Sequence, residues 1–152
     1  MPYEIDATYT QLRQQAFAWT DERAPAGAPS GFIMETGYPN AIFTLVALSD
    51  GTASLYFSTG GAMMNAQAQE GPAKAALALA HAARRYVGGM PAAANTAPPE
   101  RGEVKLYVLT NAGPRCVDGP EAEFAEDRRP QSPLFKAAHV LLAEIGKLKI
   151  SP

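Results

Sequence analysis

Few side chains in this sequence have both the type and the company that chemistry requires. Sulfur chemistry would start from Cys116, the single cysteine, with His81 or His139 as base. A thiol nucleophile needs a base within hydrogen-bond reach and a third group to orient that base. The two histidines fall on separate predicted helices and the cysteine on a strand, so no local spacing joins them. Packing as a small hydrophobe is the simpler role for Cys116. The same residues lack the close spacing of a zinc site, so no metal ligand and no catalytic residue is assigned. Ser58-Thr59-Gly60-Gly61 ends a predicted strand in hydroxyls and glycines, a segment able to aim backbone N–H groups at an anion. It lacks the lysine and the spacing of a phosphate loop, and two glycines also let a chain leave a crowded sheet. Asp118, Glu121, Glu123, Glu126 and Asp127 have the chemistry for a hard cation or a shared proton. No calcium-loop pattern accompanies them and Arg128-Arg129 follow, which reads as a solvated charge run.

Two further groups stand out. Glu35 interrupts an apolar segment, Phe32-Ile33-Met34-Glu35-Thr36. Buried, it would demand an arginine or lysine beside it. At a sheet edge it would discourage wrong pairing, and the edge is its expected place. Met63-Met64 combine adaptable thioethers with Tyr38 and Tyr56, aromatics that carry a polar tip and favour interfaces. With the glycines they make the candidate ligand- or partner-binding set: Tyr38, Tyr56, Gly60, Gly61, Met63 and Met64. The competing reading is that they cover the end of a sheet.

The elements that would position these groups follow from periodicity. Ile5, Tyr9, Leu12, Ala16 and Trp19 form one helical stripe behind an Asp6 cap, predicting a first helix over 7–20. Strands are predicted at 31–36, 41–48 and 53–59, with Asp50-Gly51 suited to a two-residue type I′ turn. That turn sets Val46 opposite Leu55 and Thr44 opposite Phe57. Leu48, Ala53, Val46, Leu55 and Phe57 then share one face, while Phe43, Leu45 and Tyr56 share the other and need cover. Residues 60–71 read as a glycine-initiated loop. Pro72 opens a second helix reaching Val87, with Ala73, Ala76, Ala80 and Ala83 as a small-residue stripe and Gly88-Gly89 as its stop. The proline-rich segment 88–102 wraps the surface. A fourth strand alternates through Val104, Leu106 and Val108, a fifth lies at 114–118, and Ser132-Pro133 starts a last helix.

Composition limits what such a chain does. Its 152 residues suit one domain, 1–152, and although 47% are hydrophobic, 29 of these are alanines of little bulk. A net charge of −2 offers no basic field for nucleic acid. No apolar run approaches the roughly 20 residues that span a bilayer. The N-terminus lacks the basic and apolar parts of a signal peptide, and a lone cysteine forms no intramolecular disulfide, so a cytoplasmic location is expected.

Met34-Glu35-Thr36-Gly37-Tyr38-Pro39, Thr44-Leu45-Val46-Ala47-Leu48, Asp50-Gly51-Thr52, Ser54-Leu55-Tyr56-Phe57-Ser58 and Ser132-Pro133-Leu134-Phe135 resemble an uncharacterised family of bacterial hypothetical proteins. That resemblance spans much of 31–148 and implies no activity. The element order also resembles, loosely, profilin-like and roadblock-type modules; such a likeness implies a fold and not a function. The expectation is an α+β domain: an antiparallel sheet of about five strands with helices on both faces, in the order α-β-β-β-α-β-β-α. Its expected work is that of a non-enzymatic interaction or scaffolding module, without cofactor, that pairs as a homodimer or with another protein. The alternative is a small-ligand sensor with its pocket near the 60–71 and 88–102 loops.

Overall fold

Asp6 opens the first helix where the sequence places it. In the computed structural model, which describes residues 2–148, its carboxylate accepts from the Thr8 backbone N–H at 2.8 Å and caps α1 (Ala7–Phe17). Position 1 and positions 149–152 of the expected 1–152 domain lie outside the described residues. The helix stops short of residue 20 because the chain turns after Phe17. Trp19 still reaches the sheet, donating its indole N–H to the Ser30 carbonyl at 3.0 Å.

The strands are β1 (Pro29–Gly37), β2 (Ile42–Leu48), β3 (Ala53–Phe57), β4 (Ala62–Met63), β5 (Glu103–Thr110) and β6 (Arg115–Pro120). They form one antiparallel sheet in the order β4-β3-β2-β1-β5-β6. The remaining helices are α2 (Glu70–Tyr86), α3 (Glu121–Ala125) and α4 (Ser132–Leu148). The class is α+β with helices on both faces of an antiparallel sheet, and the sixth strand is the short β4 within the expected 60–71 loop. A second addition is α3, which sits in the acidic run and buries Phe124 against the Phe135 ring, 5.7 Å away. One aromatic among carboxylates converts part of a solvated run into a helical turn of the core.

The β2–β3 register differs from the expected one by one residue. Leu45 lies opposite Leu55, Phe43 opposite Phe57 and Thr44 opposite Tyr56. The cause is the loop. Leu48 and Thr52 close it with the Leu48 N–H donating to Thr52 at 2.9 Å, while the Gly51 N–H donates to the Leu48 carbonyl at 3.0 Å. Ser49, Asp50 and Gly51 thus make a three-residue loop, and of these three only Gly51 takes a positive φ, +97°. A type I′ turn needs positive φ at both central residues; a three-residue loop with one left-handed glycine does not. Because side chains alternate, one residue of slip moves the hydrophobic set to the other face.

The corrected register separates the two cores. Phe32, Met34, Leu45, Leu55 and Leu106 face α2 and α4, whereas Ile33, Ile42, Val46, Tyr56 and Tyr107 face α1. Phe43, Leu45 and Tyr56 therefore do not share a bare face. Leu45 and Phe43 pack under α2 and α4, and Tyr56 is buried on the side of Tyr9 and Trp19, all within one chain. Glu35 is also not at an edge. Its strand lies between β2 and β5, because β1 pairs with a strand seventy residues further on.

The segment between α2 and β5 wraps the surface as expected. Met90 packs in the α2-side core and Ala93 in the α1-side core, so the chain rounds the open edge of β6. There the Cys116 N–H donates to Pro91 and the Ala93 N–H to Pro114, both at 2.9 Å, which satisfies part of that edge. Further on it crosses Gly37, where an added Cβ would meet the Glu100 carbonyl oxygen at 2.0 Å. Only glycine admits that approach.

Leu55 is 3% exposed and central to the larger core. Leu55→Ala is expected to cost about 2–5 kcal/mol, read as a lower midpoint at unchanged slope in urea.

Candidate binding groove

Glu70 opens α2 two residues ahead of the expected Pro72, which sits in its first turn, and alanines at 73, 76, 80 and 83 recur along one stripe of the helix. Alanine ends at Cβ, so this stripe lets the helix lie close to the sheet without filling the space beside it. On that flank a groove of about 440 Å³ opens between α2 and the adjoining ends of β1 and β2. The four alanines form one wall, and Gly31, Phe32, Ala47 and Leu48 form the other. Leu77 stands on the lip, 62% exposed. That volume lies within the range of small-molecule sites, and the lining is apolar with few polar groups, the usual character of such sites.

Three polar residues and one charge complete the lining. The Gln67 side-chain oxygen already accepts from the Ala53 N–H at 2.9 Å. Ser49 borders the groove at the hairpin loop. Ser30 is fully buried and its hydroxyl has no hydrogen-bond partner. Its carbonyl accepts from the Ser49 N–H at 2.9 Å and from the Trp19 indole at 3.0 Å, and Ser30 lies at the irregularity between Pro29 and Gly31 where the β1–β5 register shifts by one residue. Arg84, on the last turn of α2, is the charged residue of the lining and has no ion-pair partner among the described residues. No histidine or carboxylate lines the groove, so its two serine hydroxyls have no base. The arrangement can bind; it does not assemble a nucleophile.

The residues singled out from sequence lie elsewhere. Tyr38 is half-buried, edge-to-face on Phe43 at 4.6 Å, and its carbonyl accepts from the Tyr3 hydroxyl at 2.7 Å. Tyr56 is inside the α1-side core. Gly60 lies beside Asp6, and the Gly61 carbonyl accepts from the Phe57 N–H at 2.9 Å. The neighbouring Ser58 hydroxyl accepts from the Ile42 N–H at 2.9 Å, so this hydroxyl-and-glycine segment closes the sheet rather than facing an anion. Met63 pairs opposite Leu55 on β4, and Met64 is exposed. None of these six lines the groove. The two loops expected to frame a pocket are also apart: Gln67 lines the groove, whereas Pro98, Pro99 and Arg101 line a second hollow of about 470 Å³ with Tyr3 and Ile5. The alanine stripe was legible in the sequence as a close-packing face, and it is this stripe that lines the groove.

On the opposite face of the sheet lies a buried charge. Glu35, 0% exposed, receives the Arg13 guanidinium in a two-pronged contact, Nε to Oε2 at 2.6 Å and Nη2 to Oε1 at 2.7 Å. Thr44 Oγ1 donates to Glu35 Oε2 at 2.9 Å, which leaves its lone pairs for the Tyr9 hydroxyl at 2.7 Å. Arg13 also donates to the Thr96 carbonyl of the wrapping segment and packs over the Phe17 ring at 4.8 Å. Burial first, and the Glu35 charge second, push the Tyr9 hydroxyl up to about 12. Cys116 is in this same core, while His139 belongs to α4 on the other side of the sheet and His81 is exposed. The sheet itself keeps the thiol from either base. Burial, reinforced by Asp118, pushes the Cys116 thiol up to about 12.

Compared with known proteins, the chain matches no family model, no curated protein and no solved structure.

Arg13→Ala leaves the Glu35 carboxylate buried without its partner and is expected to cost about 3–5 kcal/mol in a denaturant titration. Replacing both, Arg13→Met with Glu35→Leu, recovers most of that loss, because no charge is then stranded. Cys116 is expected to react slowly with iodoacetamide at neutral pH, since little thiolate forms there. In the folded chain its pKa lies above the ordinary value of 9.0, so the unfolded chain releases this proton first. The associated stability is full below about pH 9 and is lost as pH rises from there towards 12. Cys116→Ala makes that alkaline decline shallower in urea midpoints taken at successive pH values.

Proposed function

We propose that this chain is a non-enzymatic binding module that holds a small, largely apolar ligand in the groove beside α2. The observation that carries the reading is the open space of about 440 Å³ along the alanine stripe, walled by Phe32, Ala47 and Leu48. A helix with larger residues at 73, 76 and 80 would close it. The absence of any base among its lining residues supports binding over turnover. The reading places the protein in the cytoplasm, where a lone reduced thiol such as Cys116 is the ordinary state of cysteine. Among the described residues no helix is long and apolar enough to cross a membrane.

A second reading is self-association as a homodimer. Its support is Leu77, a large apolar side chain standing 62% exposed on the groove lip. A pair of chains would have to bury upward of about 1,000 Å² in total around that residue.

A thermal-shift screen of small apolar and amphipathic compounds tests the first reading. A ligand at a hundredfold excess over its Kd adds about 2.7 kcal/mol, a shift of several degrees. Hits are expected with the native chain and are lost with Ala80→Phe, which places a ring in the groove from an exposed position. Sedimentation of the same two proteins covers the second reading: a dimer that Leu77→Gln dissociates supports it, and a 16.1 kDa species at micromolar concentration removes it.

A further inference from the structure

The groove's chemistry is asymmetric along its length. From Ala73 to Arg84 the wall follows α2 for eleven residues, about 16 Å at about 1.5 Å per residue. Most of that length is apolar. Its one charge, Arg84, stands near the C-terminal end of α2, without an ion-pair partner among the described residues. The fully buried Ser30, also in the lining, has a hydroxyl with no hydrogen-bond partner. A buried hydroxyl without a partner is costly, and one that borders an apolar groove can be satisfied by what enters it. The groove thus offers an elongated apolar channel, one unpaired guanidinium and one unpaired hydroxyl.

We propose that the ligand class is an unbranched aliphatic monocarboxylate, its chain lying along Ala73, Ala76 and Ala80 and its carboxylate held by Arg84. This rests on the reading of the groove as the binding site and adds the charge and shape of the occupant. The guanidinium is the group suited to a carboxylate, since its planar fork presents parallel N–H donors to both oxygens. The C-terminal end of α2 carries the negative end of the helix dipole, which opposes an anion, so the attraction depends on Arg84 itself. Removing its charge is therefore decisive.

The test titrates dodecanoate and dodecanol, each below its aggregation concentration, into the native chain and four variants by calorimetry. Dodecanoate is expected to bind the native chain at least about tenfold more tightly than dodecanol. Arg84→Glu should abolish that preference, while Arg85→Glu, a neighbouring charge outside the lining, should keep it. Ala80→Phe should remove binding of both compounds, and Leu77→Gln, a milder change on the lip, should weaken both equally. Each variant is first shown to melt cooperatively. Equal binding of the two compounds, blocked by Ala80→Phe and indifferent to Arg84→Glu, overturns the carboxylate assignment and leaves the groove as the binding site. Binding of neither compound also overturns it, and the groove reading falls with it only when the wider thermal-shift screen yields no hit that Ala80→Phe removes. Dodecanoate binding that survives Ala80→Phe places the ligand outside the groove and overturns both.

Discussion

Glu35 sets the terms for one half of this molecule. Its carboxylate lies in the middle of the sheet with no exposure, a position where an unpaired charge would cost several kcal/mol. Arg13 answers that charge from α1, Thr44 from the neighbouring strand, and the Tyr9 hydroxyl completes the chain of donors. α1 has eleven residues, a length at which an isolated helix is marginal in water, so its order depends on docking. The contact with Thr96 extends the same constraint to the segment that rounds the β6 edge. Helix, sheet centre and wrapping segment are thus tied through one guanidinium.

The other face is built differently. α2 and α4 cover it with Leu79, Leu134, Leu141 and Ile145, and the layer needs no buried charge to hold its place. Here the limiting quantity is side-chain volume. Alanines allow α2 to approach the sheet, yet they do not reach across its outer flank, and the groove is what remains. A polar, tightly specified face and an apolar, incompletely filled one share a single sheet. The first fixes geometry and the second leaves open space beside α2.

Much of the fold was legible because its signals are local. The Asp6 cap, the alternation through Val104, Leu106 and Val108, the alanine stripe and the helix start at Ser132-Pro133 each depend on neighbours a few residues away. The hairpin between β2 and β3 shows where local signals stop. Asp50-Gly51 announces a turn, but the same pair serves a two-residue loop with two positive φ values or a three-residue loop with one, and the choice decides which face of β2 lies on the same side as a given face of β3. The candidate site followed suit: Tyr56 entered the α1-side core, and Met63 became a strand partner of Leu55.

Composition and periodicity by themselves determined an α+β chain lacking a basic field and a cysteine framework, with its three longer helices and most strands in order, but not α3 or the division into two cores. They also located the small-residue face of α2. Only the tertiary structure decided that β1 is flanked on both sides, because its second neighbour is β5, and no residue near Glu35 announces a partner seventy positions away. The same long-range pairing turned Glu35 from an edge residue into a buried ion, and it brought Arg13, twenty-two residues earlier, within 2.6 Å. The groove arose in the same way, since a stripe of alanines specifies close approach but not what lies across from it. Periodicity reports which side of an element is apolar; which elements meet, and what space they leave, depends on packing among residues far apart in the chain.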